Sequence, residues 1–76
     1  MNKETKRLPY AWELEALVCS QLLDQEAHDA VSVTEDGAGY YTLWYNDTVI
    51  GYCSVETFDA VRWAKLALLQ RKEARS

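Results

Sequence analysis

Apolar positions recur along this chain with two different periods. From Tyr10 to Leu23 they fall at helical spacing. Tyr10, Leu14, Leu17, Val18 and Leu22 form one stripe, and Trp12, Ala16, Cys19 and Leu23 form a second, nearly opposite. The pattern predicts a helix from about Pro9, a residue suited to a first helical position, to about Gln25. Glu13 and Glu15 lie toward its N-terminal end, where the macrodipole favours carboxylates.

Beyond Ala30 the period changes to two. Ala30 to Thr34 alternates, with Val31 and Val33 on one face. Glu35–Gly39 is turn chemistry, with glycines available for positive φ. Tyr40 to Tyr45 is dense in aromatic and β-favouring residues, Asn46–Asp47 suits a two-residue hairpin turn, and Thr48 to Cys53 reads as a third strand. A last helix is expected after Ser54, a capping residue, with Cys53 and Phe58 at the staple positions. Its acids come first (Glu56, Asp59) and its cations last (Arg71, Lys72), matching the dipole. The element order predicts an α+β fold of two layers, α-β-β-β-α. A three-stranded antiparallel meander is flanked by an N-terminal and a C-terminal helix.

Simple pairing outward from the turn sets Trp44 against Val49, Leu43 against Ile50 and Tyr41 against Tyr52. If Thr34 meets Tyr40, then Val31, Val33, Tyr41, Leu43, Tyr45, Ile50 and Tyr52 share a core face. Tyr40, Thr42, Trp44, Val49, Gly51 and Cys53 share the other. In the last helix Phe58, Val61, Leu68 and Leu69 form the expected core stripe, with Ala60, Trp63 and Ala67 opposite. Each of three elements therefore carries a tryptophan outside its core stripe: Trp12, Trp44 and Trp63. Tryptophan and tyrosine are enriched at interface hot spots.

Charge sharpens this picture. The chain has 76 residues and a formal net charge of −4, yet no lysine or arginine occurs between Leu8 and Val61, a stretch holding ten of its 12 acids. Its basic residues lie in an N-terminal tail, residues 1–7, expected to be flexible, and beyond Val61; residues 8–76 are expected to form one small domain. A field of one sign steers partners of the other. The expected partner is a protein with a basic surface, such as a nuclease or nucleoprotein complex. The acidic balance disfavours direct nucleic-acid binding. No apolar run is long enough to cross a bilayer and no signal peptide is evident, so the expected location is cytoplasmic, in a bacterial or phage-infected cell.

Candidate chemistry is sparse. His28, beside Asp24, Glu26 and Asp29, matches no ligand motif and has no second histidine to work with. Cys19 and Cys53 form neither a CxxC pair nor a disulfide framework and are expected to be free. Gly37, Gly39 and Gly51 match no phosphate-binding loop. Neither catalysis nor a cofactor or metal is expected.

The function expected is a small acidic protein-binding module. Its narrower form is a phage or mobile-element inhibitor of anti-CRISPR or anti-restriction type, which the chain resembles in size, charge and lack of motifs. Such a protein would block a basic nucleic-acid-binding surface. The candidate contact residues are Trp44, Tyr40, Val49, Glu35, Asp36, Asp47, Trp12 and Trp63. The alternatives are a homodimeric structural or accessory subunit, and a nucleic-acid binder acting through its basic termini.

Overall fold

A computed structural model of the chain describes residues 9–23 and 25–75; the expected basic tail lies outside the described residues. Six elements follow in order: α1 (Ala11–Ser20), α2 (Gln25–Ala30), β1 (Val31–Glu35), β2 (Tyr40–Tyr45), β3 (Thr48–Ser54) and α3 (Ala60–Arg75). The strands form one antiparallel sheet in the order β1-β2-β3, with helices packed on one face, so the fold is α+β with the expected meander.

The first helix is shorter than its apolar period suggests. It closes at Ser20, where the Gln21 and Leu22 amides turn to the carbonyls three residues back. The carbonyl of Leu22 is taken by His28 Nε2 at 2.7 Å, which ties the break to α2. Leu22 still reaches the core, and α2 feeds directly into β1. At the other end of α1, the Tyr10 amide donates to Glu13 and the Ala11 amide to Glu35 Oε2 at 3.1 Å. Two carboxylates thus satisfy donors that the first helical turn leaves free.

The β1–β2 register is displaced by two residues from expectation, with Thr34 opposite Thr42 rather than Tyr40. A shift of two preserves side-chain faces, so Val31 and Val33 still point into the core with Tyr41 and Leu43. The turn forms at Asn46–Asp47, with Asn46 at φ 54°. Pairing in β2–β3 then changes phase. Trp44 meets Val49, but Leu43 meets Gly51, leaving Ile50 as the extra residue of a β-bulge. Beyond it every side chain of β3 swaps face relative to simple alternation. Tyr52 leaves the core face, and Gly51 and Cys53 join it.

The last helix starts later than Ser54 indicates. Ser54–Thr57 forms a turn in which Thr57 Oγ1 accepts the Ser54 amide at 3.2 Å. The cap is Asp59, whose Oδ1 accepts the amides of Val61 (3.0 Å) and Arg62 (3.2 Å). Phe58 and Trp63 then occupy the staple positions, in an edge-to-face contact at 5.2 Å. This staple rotates α3 relative to the expected stripe. Trp63, Ala64 and Ala67 enter the core, while Val61, Leu68 and Leu69 face outward. Small alanines let the helix approach the sheet closely, and Trp63 fills the space left over Gly51.

Candidate partner-binding surface

The sheet face opposite the helices is assembled by alternation. Since Tyr41 and Leu43 point inward, Tyr40, Thr42 and Trp44 point out, joined by their cross-strand partners Thr34, Val49 and Tyr52. Among the described residues no element covers this face: Tyr40, Val49 and Tyr52 are all exposed, and Tyr52 is 61% accessible. The Tyr40 and Tyr52 rings stack at 5.5 Å with a 9° interplanar angle. Trp44 lies half-buried across β1, its Nε1–H donating to Thr34 Oγ1 at 2.9 Å. These contacts hold large rings in fixed poses on an open surface, which lowers the ordering cost of binding.

Acids stand at both ends of the face. Asp36 anchors the β1–β2 loop, its Oδ1 accepting the amides of Ala38 (2.8 Å) and Tyr40 (3.3 Å), and its Oδ2 lying 3.5 Å from the Tyr52 hydroxyl. Partial desolvation, then the Asp36 carboxylate, raises the Tyr52 phenol above its usual range. Asp47 sits exposed at the hairpin tip. Neither acid is paired with a cation among the described residues.

The structure therefore brings together Trp44, Tyr40, Val49, Asp36 and Asp47 on or beside one face. Glu35 pairs with Tyr41 on the helical side and caps α1, so its first role is in the fold. Trp12 is 66% exposed and stacks on Tyr10 at 6.4 Å, but on α1, in the layer behind the sheet. Trp63 departs from expectation: at 3% exposure it packs in the core and contributes nothing to the open sheet face, although it lines the cavity between β3 and α3. Tyr52 is the site residue that sequence reasoning placed in the core. The available signal was Gly51, since a glycine within a strand marks a bulge or a close approach.

The remaining surface features show no catalytic arrangement among the described residues. A cavity of about 280 Å³ lies between β3 and α3, and another of about 320 Å³ is lined by Ala38, Gly39, Tyr40, Ser54, Val55 and Glu56. Both thiols are free and half-buried. Burial raises the pKa of Cys19, reinforced by Glu15, and also that of Cys53, against the opposing pull of Thr57 and Arg62. A raised pKa makes a thiol a poor nucleophile at neutral pH. His28 is held by the Leu22 carbonyl rather than by a reacting group. No set of three metal-capable side chains converges among the described residues, and no described helix is long and apolar enough to span a membrane.

Comparison of the chain with protein-family profiles, characterised proteins and solved structures finds no match.

Proposed function

We propose that the chain is a non-enzymatic protein-binding module whose open sheet face receives a partner with a basic surface. One observation carries this reading: a face that no element covers among the described residues, bearing Tyr40, Trp44, Val49 and Tyr52, with the acids Asp36 and Asp47 at its two ends and no cation paired to either among those residues. Contiguous exposed aromatic surface on a small domain marks an interaction site. The aromatic centre would supply affinity and the acidic rim would supply attraction and orientation. In its narrower form the module is an inhibitor of phage or mobile-element type, anti-CRISPR or anti-restriction in kind. It would occupy a groove that its target uses for nucleic acid, and the ten carboxylates without an intervening cation support that form.

The test is direct binding to a panel of purified CRISPR effectors and restriction nucleases, at low and at high salt, with cleavage measured alongside. The expected result is one target bound, its nucleic acid displaced, and association slowed as salt screens the rim. Trp44→Ala should weaken binding roughly thirtyfold or more, the range of a hot-spot aromatic. Retention of full affinity by Trp44→Ala, Tyr40→Ala and Tyr52→Ala alike would remove this face from the function. Absence of any target in the panel would sink the narrower form.

A further inference from the structure

The two edges of the sheet differ. Alternation of the ladder fixes which backbone groups point outward, and three contacts set its phase. The Asp36 amide bonds the Tyr40 carbonyl (3.2 Å), the Asn46 amide bonds the Ala30 carbonyl (2.8 Å), and the two-residue turn makes Tyr45 and Thr48 a hydrogen-bonded pair. On β1 the outward groups therefore include Val33, and its amide is already taken by Glu15 Oε1 at 3.0 Å, with α1 packed alongside. On β3 the outward groups belong to Val49, Tyr52 and Ser54. The Ser54 amide is taken by Thr57, but among the described residues no side chain reaches the backbone of Val49 or Tyr52. An unpaired edge of this kind is a template for another strand.

Beside this edge lies the cavity of about 280 Å³, walled on one side by Ile50, Gly51, Tyr52 and Cys53 and on the other by α3. Trp63 lines the same cavity, and its Nε1 lies 3.2 Å from where a Cβ on Gly51 would stand. Trp63 is 97% buried, as its 3% exposure shows, and its indole N–H has no acceptor among the described residues. Buried donors are ordinarily satisfied by protein or ordered water, so this one is open to an acceptor placed in the cavity. The charges around the edge are mainly negative: Asp36 beside Tyr52, Asp47 at the hairpin tip, and Glu56 and Asp59 ahead of α3. Arg62 is the cation at the cavity wall.

We propose that β3 is a docking edge, onto which an extended, lysine- or arginine-bearing segment of a partner protein adds as a fourth strand. Its backbone pairs with Val49 and Tyr52, one of its carbonyls accepts the Trp63 indole N–H, and its cations lie toward Asp36 and Asp47. Main-chain pairing gives affinity in this mode, and alternate side chains give specificity. The inference rests on the protein-binding reading above and names the form its partner takes.

The probe is a phage-displayed library of random dodecapeptides selected on the full chain. Enriched peptides are then titrated into ¹⁵N-labelled protein. The expected result is enrichment of Lys/Arg-containing, β-prone peptides that shift the Val49 and Tyr52 amides and the Trp63 indole N–H together. Tyr52→Pro blocks the outward amide, and Trp63→Phe removes the indole donor while keeping a core ring. Each should weaken these peptides by roughly tenfold or more. Folding of both variants is verified by circular dichroism, and the wild-type shifts decide the matter if either fails to fold. No enriched peptide, or peptides that leave the Val49, Tyr52 and Trp63 signals unmoved, overturns the docking edge. If enriched peptides instead shift Tyr40, Thr42 and Trp44 alone, the edge is refuted while the open-face reading stands.

Discussion

Replacing the three tryptophans one at a time by alanine separates core from surface by measurable amounts. Trp63 is almost fully buried, packs edge-to-face on Phe58 and sits over Gly51. Truncating such a ring to alanine costs about 3–5 kcal/mol. The whole stability of a 76-residue chain is on the order of 4–11 kcal/mol at the usual value per residue. Trp63→Ala should therefore remove a large share of it and lower Tm by at least about 12 °C. Trp44 is half-buried with one hydrogen bond to Thr34. Losing that bond costs about 0.5–1.5 kcal/mol, and losing the buried half of the ring about 1 kcal/mol, for a total near 2 kcal/mol. Trp12 stands mostly in solvent, and its replacement should stay within about 0.5 kcal/mol. Urea and thermal melts followed by far-ultraviolet circular dichroism give all three values. The order Trp63, Trp44, Trp12 is the expected one. A Trp63→Ala protein melting within a few degrees of wild type would show that α3 presents its other face to the sheet, and the assigned core would be wrong.

Asp59→Ala removes the acceptor for two amides at the start of α3 and should cost about 1 kcal/mol, with Asp59→Asn retaining most of the effect; paired melts check this. Gly51→Ala places a Cβ 3.2 Å from both Leu43 Cβ and Trp63 Nε1, so it should destabilise by about 1–3 kcal/mol through overcrowding, read from the same melts. Cys19, Cys53 and Tyr41 all have raised pKa values, chiefly from burial, against ordinary values of 9.0 for the thiols and 10.0 for the phenol. The unfolded chain therefore ionises first. Stability should hold below pH 9 and fall as pH rises through the folded-state values, and a urea midpoint that stayed level well above pH 10 would contradict this sign. By the same logic both thiols should react with a disulfide reagent more slowly in the folded protein than in denaturant at pH 8.

The sequence alone determined the two flanking helices, the three strands, the antiparallel meander and the Asn46–Asp47 turn, but not the separate helix α2. These follow from periods of two and 3.6 residues and from the tolerance of Asn for positive φ, all of which act within a few neighbouring residues. It also placed Trp44, Tyr40 and Val49 on a common face. Their alternation with Tyr41 and Leu43 is local, and a register error of two between β1 and β2 does not disturb it.

Tertiary structure decided the rest. The bulge at Ile50 moved Tyr52 onto the open face because the strand accommodates Gly51 beneath Trp63, a fit between residues twelve positions apart. Both faces of α3 are apolar, so periodicity could not choose between them. The staple of Phe58 on Trp63 and the Asp59 cap turned the alanine side inward and left Val61, Leu68 and Leu69 outside. The end of α1 was equally silent in sequence, with no glycine or proline to mark it; it is tied by His28, eight residues past Ser20, through the carbonyl of Leu22. In each case the deciding contact joins residues whose proximity exists only once the chain has packed, and there local preference yields to packing and to the pairing of buried polar groups.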